Sequence, residues 1–391
     1  MPANSGQTTK VLKTFVVLQD VKLHHYLSLF SLLPVLATGC KSPDQNKTEE
    51  IIESGTLKVE VLTQDLEVPW GLDFLPNGDL IFTERPGKIS ILPKGLNEPV
   101  VIHERDVLDR AEGGLLGLAV SPNFEENGYV FIYETVSKFN QVVRFNFRNN
   151  QLENETVIIS DIPKAKFHNG GILRFGPDDY LYIGTGDARE PDLSQDKNSL
   201  AGKILRVDEN GNAAPGNPFD NRIWSYGHRN VQGIDWDEKG RLVCTEHGPS
   251  GEINGWCCHD EINLVEKGMN YGWPELIGDM QKDGMVNPIT HSDEGTWAPG
   301  GGVFIKGKCW KEWEGSYILA GLRGKLLLRF KLADDRTKVL EQEEIFKGDF
   351  KRLRNIIMAP DSSLVFCTSN RDGRTFPPLD GDDKIYRMWM E

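Results

Sequence analysis

Residues 164–187 (KAKFHNGGILRFGPDDYLYIGTGD) place a histidine, His168, and an aspartate, Asp187, at the two ends of one predicted hairpin. Between them lie a glycine pair, an alternating apolar run, a P-D-D turn and a second apolar run. Histidine is the side chain that most often transfers protons in enzymes, and a positioned carboxylate can orient it. Taken alone, His168 is equally well explained as a capping residue or a residue at the edge of the core.

Several arginines stand near the starts of other apolar strands, as His168 does, which predicts that they share one opening with it. Guanidinium groups bind carboxylates or phosphates in a planar, bidentate manner, so such a cluster suits an anionic ligand. The alternative is that each arginine pairs with a structural carboxylate. The residues near strand starts are Arg229 and Asn230 in Y-G-H-R-N, and Arg352 and Arg354 in R-L-R. Arg323 in A-G-L-R-G-K is predicted in the later strands of the fifth repeat and is expected to face the same opening.

The segment 244–274 is rich in oxygen ligands. The tripeptide H-G-P at 247–249 ends a predicted strand, where free carbonyls could bind a hard cation such as calcium. Acidic pairs are also common on surfaces, so the spacing alone is a weak signal. Zinc is not expected, because the chain has no C-x-x-C pair and no H-E-x-x-H motif. The candidate calcium ligands are Gly248, Pro249, Asp260, Glu261 and Tyr271.

One pattern recurs along the chain: glycine, an alternating apolar stretch, a turn rich in Pro, Asp, Asn or Gly, and a second apolar stretch. Period-two alternation around such turns is typical of β-hairpins. A two-sheet sandwich seldom repeats one unit so often, whereas a propeller uses one radial sheet for each repeat. We therefore predict an all-β fold, a six-bladed β-propeller of four-stranded antiparallel blades, over residues 57–391. The copies occupy residues 70–84, 114–134, 170–187, 232–248, 300–321 and 354–370.

The N-terminal region is predicted to be an export signal. Residues 26–37 (YLSLFSLLPVLA) form an apolar run too short to span a bilayer, and they lead into LATGC, which resembles a bacterial lipobox. We expect a signal peptide over residues 1–40, a lipid anchor on Cys40 and a polar tether over residues 41–56. This predicts an exported, periplasmic or cell-envelope protein that meets the membrane only through that anchor. The alternative is a buried strand with a chance cysteine.

The charge balance bears on the kind of partner. The chain has 44 Lys and Arg against 58 Asp and Glu, a formal net charge of −14. Phosphate binding depends on Lys and Arg, so we expect no nucleic-acid partner.

The cysteines beyond Cys40 are odd in number, so at least one thiol is expected to stay free. Export permits disulfides. Cys257 and Cys258 are adjacent, and only a vicinal disulfide could join them. The other three are Cys244, Cys309 and Cys367.

Six motifs in order resemble those of the soluble sugar dehydrogenases that depend on pyrroloquinoline quinone (PQQ), and most closely their aldose sugar dehydrogenase branch. The resemblance covers about residues 57–391. It implies a six-bladed propeller with PQQ over the channel and calcium (Ca²⁺) beneath the quinone edge. It also implies oxidation of an aldose to a lactone, with electrons passed to an external acceptor. The motifs are H-N-G-G-x-L-R-F-G-P-D, I-G-T-G-D, Y-G-H-R-N-x-Q-G, E-H-G-P, D-E-I-N-L-V-x-K-G-x-N-Y-G-W-P and R-L-R.

The resemblance also implies roles for individual residues. His168 matches the base that removes the proton of the anomeric hydroxyl, and Asp187 matches the carboxylate that orients it. Arg229, the third expected catalytic residue, and Asn230 match residues that flank the quinone. The further roles are cofactor binding for Glu112, Arg323, Arg352 and Arg354, the cofactor calcium for the carbonyls of Gly248 and Pro249, and a second calcium for Asp260, Glu261 and Tyr271.

This sequence departs from the family pattern at several points. Arg323 stands where the family often has lysine, and Glu112 stands where the glucose enzymes have glutamine. The long insertions of the glucose enzymes are absent, and a segment with Trp256, Cys257 and Cys258 separates Pro249 from Asp260. The expected partners are an aldose substrate and an external electron acceptor, for a monomer or dimer.

Two other functions suit a six-bladed propeller. Calcium-dependent lactonases and esterases use the same architecture, but they hold calcium in the channel with carboxylate and Asn side chains rather than arginines. Related animal propellers bind protein partners without catalysis, and such a scaffold has no chemical need for a histidine, an aspartate and several arginines at one opening. Fold alone does not decide among these functions.

Overall fold

The computed structural model describes residues 52–54 and 57–391, and this part of the chain is almost entirely β-strand. The predicted signal peptide (residues 1–40) with its lipidated Cys40 lies outside the described residues and stays a prediction. The predicted tether (41–56) is described only at Ile52–Ser54, a short strand paired with Leu57–Thr63, so the sheet begins before residue 57. No helix among the described residues is both long enough and apolar enough to cross a membrane.

The strands and helices of the described residues follow one another in a regular series. Short helices interrupt it at α1 (Phe124–Asn127) and at two 3₁₀ turns, Pro191–Ser194 and Lys308–Trp313. The strands are β1 (Ile52–Ser54), β2 (Leu57–Thr63), β3 (Pro69–Phe74), β4 (Leu80–Glu84), β5 (Lys88–Leu92), β6 (Val100–Glu104), β7 (Leu115–Val120), β8 (Tyr129–Thr135), β9 (Asn140–Arg148), β10 (Gln151–Ile162), β11 (Gly170–Phe175), β12 (Leu181–Thr185), β13 (Lys203–Val207), β14 (Ile223–Tyr226), β15 (Val231–Trp236), β16 (Leu242–Glu246), β17 (Glu261–Val265), β18 (Thr290–His291), β19 (Pro299–Phe304), β20 (Tyr317–Gly321), β21 (Leu326–Leu332), β22 (Val339–Ile345), β23 (Leu353–Met358), β24 (Leu364–Thr368) and β25 (Ile385–Met390).

These strands form the predicted six-bladed propeller. Blades 1 to 5 are four-stranded antiparallel sheets, β3–β6, β7–β10, β11–β14, β15–β18 and β19–β22, each ordered from the channel outward along the chain. Blade 6 combines β23, β24 and β25 from the C-terminus with β2 from the N-terminus, and β1 adds a fifth strand at its outer edge. Antiparallel pairing of β2 with β25 therefore closes the ring. Each repeat in the sequence forms the two innermost strands of one blade, which confirms the hairpin prediction.

Neighbouring blades are joined by polar contacts as well as by apolar packing. The Asp73 carboxylate on β3 accepts a hydrogen bond from the backbone N–H of Val120 in the next blade, at 2.8 Å. Asp235 on β15 makes the same contact with Phe304 N, at 2.7 Å. Buried carboxylates and amides need such partners, so these bonds fix how one blade sits against the next.

Glycines on the innermost strands allow the blades to approach one another around the axis. A Cβ added to Gly117 on β7 would lie 2.0 Å from the carbonyl oxygen of Gly171 on β11. A Cβ on Gly300 of β19 would lie 1.9 Å from the carbonyl oxygen of Arg354 on β23. Both distances are far inside van der Waals contact, so these positions need glycine for space and not for turn geometry.

We expect Gly117→Ala to destabilise the propeller, because its Cβ would meet backbone that cannot move without shifting a blade. Overpacking of this kind costs about 1–3 kcal/mol in the free energy of unfolding. Gly295→Ala is the matched control, since its Cβ would meet only Ser292 O at 3.2 Å in an exposed loop. Differential scanning calorimetry should show a lower melting temperature for Gly117→Ala alone. Equal melting temperatures for the two variants would contradict the packing argument.

Candidate functional site

The pairing of β11 with β12 brings His168 and Asp187 together. Gly170 pairs with Thr185, so the residues just beyond these strand ends meet at the same edge of blade 3. His168 Nδ1 lies 2.7 Å from Asp187 Oδ1, and both side chains are buried. A carboxylate oxygen can only accept, so Nδ1 carries the proton of this bond, and in the neutral imidazole Nε2 is the nitrogen with the lone pair. The two ends of the hairpin thus bring a histidine and a carboxylate into direct hydrogen-bond contact, as predicted for a base and the group that orients it.

The backbone at this pair is held in an uncommon conformation. His168 has φ of 62°, in the left-handed region that non-glycine residues seldom occupy. A Cβ on Gly186 would lie 2.0 Å from the His168 carbonyl oxygen. The second glycine of I-G-T-G-D therefore provides the space for the His168 turn beside Asp187. Backbone of this kind persists where the surrounding structure fixes it, and it is common at functional sites.

Arg229 is buried beside this pair and is held from several sides. Its backbone N–H donates to Glu246 Oε2 at 2.7 Å, and its Nε donates to Glu252 Oε1 at 2.7 Å. Its Nη1 donates to the carbonyl of His247 at 3.2 Å, and its guanidinium carbon lies 5.3 Å from the centre of the Trp273 ring. The guanidinium therefore has a fixed orientation at the cavity described below.

Glu112 connects the His168 turn to the loop between β24 and β25 of blade 6. Its Oε2 accepts the backbone N–H of His168 at 3.0 Å, and its Oε1 accepts Arg374 Nη2 at 2.9 Å. Burial alone would raise the pKa of Glu112, but the charge of His247 in its protonated form, the charge of Arg374 and the bond from His168 N outweigh it and lower the pKa to about 2. Because burial lowers the pKa of His247 to about 4, Arg374 is the cation that acts on Glu112 at neutral pH. Glu112 is therefore a carboxylate at neutral pH, and it helps to fix the backbone of the predicted base.

The arginines of R-L-R lie side by side at the inner end of blade 6. Arg352 Nε donates to Asp372 at 2.8 Å, and Arg354 Nη1 donates to Gln232 Oε1 at 2.7 Å. Arg354 Nε is buried and has no hydrogen-bond partner among the described residues. Burial, and then the positive charge of Arg352, lowers the pKa of Arg354 to about 10. A buried cation with an unused donor is costly unless an anion compensates it.

A cavity of about 680 Å³ opens where these residues meet. His168, Glu112 and Asp260 line it, together with six cations. Three of these cations, Arg189, Arg323 and Lys325, form no ion pair with any residue that the structure describes. The chain is acidic as a whole, so this local concentration of positive charge favours an anionic ligand over a cationic one. The six are Arg189, Arg229, Arg323, Lys325, Arg352 and Arg374.

Gly248 and Pro249 line the cavity as expected for carbonyl ligands. Asp260 anchors this turn, because its Oδ1 accepts Gly248 N at 3.0 Å. Its Oδ2 accepts three further donors, Trp297 N, Ala298 N and Thr296 Oγ1, at 2.7–2.8 Å. The Asp260 carboxylate thus organises the loops around the cavity, and its part in binding a metal stays a prediction.

A second, enclosed cavity of about 10 Å³ lies next to the first, large enough for one water-sized sphere. Glu246 and Glu261 both line it, and burial, followed by the negative charge of Glu246, raises the pKa of Glu261 well above its usual range. Two neighbouring carboxyl groups around one small space, that of Glu246 buried and that of Glu261 partly exposed, form a donor set that suits a hard cation. Tyr271 also lines it, but its hydroxyl is occupied, donating to Leu264 O at 2.7 Å and accepting from Glu266 N at 2.8 Å.

The segment between Pro249 and Asp260 contributes a disulfide to the cavity wall. Cys257 and Cys258 are joined to each other, and both line the large cavity. Among the described residues, the free thiols are Cys244, Cys309 and Cys367.

The tertiary structure adds site residues that motif reading missed. Trp273 contacts Asp187 and Arg229, and Glu252 contacts Arg229. Trp273 lies within a longer motif and Glu252 within the inserted segment, and the sequence analysis assigned a role to neither. Arg374 pairs with Glu112, and Arg189 and Lys325 line the cavity from loops. Sequence position is the one signal that could have identified these residues, because each of them follows a strand or motif that was assigned to the opening.

Comparison with known proteins identifies the class of protein as six-bladed propellers of the sugar-oxidising quinoprotein type. The PQQ-bound aldose sugar dehydrogenase of Streptomyces coelicolor is similar in structure, with a TM-score of 0.78 and 36% identity over 86% of this chain and 98% of that one. Aldose sugar dehydrogenase YliI of Escherichia coli K12 is 30% identical over 81% of this chain and 91% of its own length. Quinoprotein glucose dehydrogenase B of Acinetobacter calcoaceticus is 25% identical over 89% and 90%.

The family follows from a sequence match as well as from these relatives. The Glucose / Sorbosone dehydrogenase family model matches residues 66–377. The protein belongs to this family, as the resemblance in the motifs indicated, and it is an oxidoreductase of the PQQ sugar dehydrogenase type.

The ion pair of Glu112 makes a pH-dependent prediction. The pKa of this carboxyl is about 2 in the folded protein and 4.5 in the unfolded chain. The carboxylate therefore stabilises the fold fully above pH 4.5, and this stabilisation is lost as the pH falls from 4.5 towards 2. Glu112→Gln should therefore lower the free energy of unfolding at pH 7 by roughly 1–3 kcal/mol. The difference from the wild type should shrink between pH 4.5 and pH 3, as measured by urea unfolding. Glu104→Gln, an exposed change, is the control, and a pH-independent difference for Glu112→Gln would refute the assignment.

Proposed function

We propose that this protein oxidises aldose sugars to lactones at the anomeric carbon, with bound PQQ as electron acceptor and calcium at the same site. The observation that carries the proposal is the His168–Asp187 pair at the edge of a cavity walled by cations. Family membership supports it, because the relatives named above are aldose and glucose dehydrogenases. An external acceptor would then remove the electrons.

The cations that line the cavity, and two buried donors on Arg354 and Asn230 that lie outside its lining, suit a planar, anionic quinone that carries several carboxylates. Arg323 and Lys325 have no counter-ion among the described residues, and Arg354 Nε is a buried donor without a partner. The amide Nδ2 of Asn230 is also buried and unpartnered in the described structure. We propose that these groups receive the cofactor, with the positive side chains on its carboxylates. The full proposed set is Glu112, His168, Arg229, Asn230, Arg323, Arg352 and Arg354.

When bound, PQQ supplies a two-electron acceptor and calcium supplies a Lewis acid. The chain supplies the proton chemistry and the orientation. His168 Nε2 accepts the proton of the anomeric hydroxyl, because its Nδ1–H is already given to Asp187. Asp187 stabilises the imidazolium that results, and Arg229 provides a fixed positive charge that needs no rearrangement during the reaction.

Calcium is proposed at two places. The carbonyls of Gly248 and Pro249 would hold the cofactor calcium, since both residues line the large cavity. Glu261, with Glu246 and the backbone at Tyr271, would hold a structural calcium in the enclosed cavity. Carboxylate and carbonyl oxygens are the ligands that calcium prefers.

Reconstitution tests the proposal. Purified protein with calcium, added PQQ and a dye acceptor should oxidise members of an aldose panel, and omission of PQQ should abolish the activity. His168→Gln should lower kcat by about 100-fold or more while PQQ still binds, because only the proton acceptor is lost.

His103→Gln, on strand β6 of blade 1, is the control and should keep the wild-type rate. Wild-type turnover by His168→Gln would refute the role of the histidine. Hydrolysis of lactones without PQQ would favour a calcium-dependent hydrolase, and failure to bind PQQ or oxidise any aldose would favour a binding module.

Removal of calcium tests the structural site. Chelation should lower the melting temperature of the wild type by roughly 3–8 °C, because a ligand that binds the folded state alone stabilises it by mass action. Glu261→Gln should show a much smaller response, whereas the exposed Glu294→Gln should respond as the wild type does. An undiminished response of Glu261→Gln would place the calcium elsewhere.

A further inference from the structure

Trp273 contacts two of the three predicted catalytic residues, although the sequence analysis assigned it no role. Its indole Nε1 donates to Asp187 Oδ2 at 2.8 Å. The centre of its ring lies 5.3 Å from the guanidinium carbon of Arg229, within the range of a cation–π contact. The side chain is buried, so both contacts lie away from bulk water. Trp273 thus joins the carboxylate behind the histidine base to the neighbouring cation.

The two oxygens of Asp187 have different partners. Oδ1 accepts from His168 Nδ1 at 2.7 Å and from the backbone N–H of Arg189 at 2.7 Å. Oδ2 accepts from Trp273. Rotation of the carboxylate would move Oδ1 away from the imidazole, and a charge-assisted hydrogen bond on Oδ2 opposes that rotation. The indole N–H therefore holds the oxygen that faces His168 in place.

The position of Trp273 does not depend on His168. Trp273 follows β17 of blade 4, but its backbone is bonded to blade 3, which also carries the histidine. Its N–H donates to Gly227 O at 2.9 Å, and its carbonyl accepts Gln195 Nε2 at 2.7 Å. Since the backbone is fixed on both sides, the indole is a rigid reference point between the two blades. Groups preorganised in this way need no rearrangement when charge develops.

We infer that Trp273 is a positioning residue for the proton-accepting pair: its N–H fixes Asp187, and its ring supports Arg229. The inference rests on the proposed function. Because Trp273 acts through Asp187, loss of its N–H should slow proton removal without weakening sugar binding. Loss of the ring should also disturb Arg229 and with it the binding of the quinone.

Trp273→Phe removes the N–H and keeps an aromatic ring. We expect kcat to fall on the order of 10-fold with KM little changed, as for one lost hydrogen bond to a charged group. The acid limb of the kcat–pH profile should move to higher pH, because a carboxylate with one donor fewer holds the imidazolium proton more tightly. Trp273→Leu should add a several-fold rise in the Kd for PQQ, measured by fluorescence titration of the protein.

The matched control is Trp310→Phe. Trp310 is also buried, and its Nε1 donates to Ser362 O at 2.6 Å, far along the chain from His168. This change removes the same kind of bond, so the activities of Trp310→Phe and Trp273→Phe are compared at the same interval below the melting temperature of each variant. It should leave kcat, the pH profile and PQQ affinity unchanged.

A second measurement needs neither cofactor nor sugar. The proton of a histidine–carboxylate hydrogen bond resonates far downfield in proton NMR spectra. The buried His228–Glu246 pair, at 2.8 Å, gives a second signal of this kind, which should persist in every variant. In the protein without PQQ, the signal that His168→Gln abolishes should shift or broaden in Trp273→Phe and stay in place in Trp310→Phe. The spectrum therefore tests the contact between Trp273 and the pair even if no aldose proves to be a substrate.

The outcomes separate the two proposals. An unchanged downfield signal in Trp273→Phe overturns the inference, as does equal loss of kcat in Trp310→Phe and Trp273→Phe. An altered signal with a PQQ-dependent fall in kcat supports both proposals. An altered signal in a wild-type protein that oxidises no aldose upholds the positioning contact and refutes the proposed function alone.

Discussion

The close approach of six innermost strands around one axis is the constraint on which the site depends. Gly117 and Gly300 leave no room for a Cβ against the neighbouring strand, so the innermost strands at these two blade interfaces pack backbone against backbone. Residues just before or after these strands are consequently brought to a common edge. His168 from blade 3, Arg229 before blade 4 and Arg352 before blade 6 reach one cavity for this reason.

The charge of the cavity lining is opposite in sign to the net charge of the protein. The chain carries a net charge of −14, yet six cations line this one space. Some are paired, as Arg352 is with Asp372, while Arg323 and Lys325 have no counter-ion in the described structure. The cationic lining attracts anions into this space although the net charge of the chain would repel them. The buried His168–Asp187 pair lies at the edge of this field.

The fold was predictable because its signal is local and repeated. Period-two alternation around short turns specifies a hairpin, and the glycines of each copy specify a strand that meets another backbone. The cavity cations were partly predictable for the same reason, since Arg229 and Arg352 occupy equivalent points of their repeats. The contacts of Glu252 and Trp273 were not predictable, because they follow no period. Glu252 contacts Arg229, 23 residues away, and Trp273 contacts Asp187, 86 residues away.

The sequence by itself determined the hairpins, the number of blades, the family resemblance and the residue types at the opening. Tertiary structure alone decided which oxygen of Asp187 faces the imidazole, that Asp260 organises loops through four donors, and that Glu246 and Glu261 enclose one small space. The physical reason is the range of the interactions. Strand alternation and turn chemistry act over a few residues, whereas hydrogen-bond partners and buried charges are chosen among blades that meet only when the ring closes.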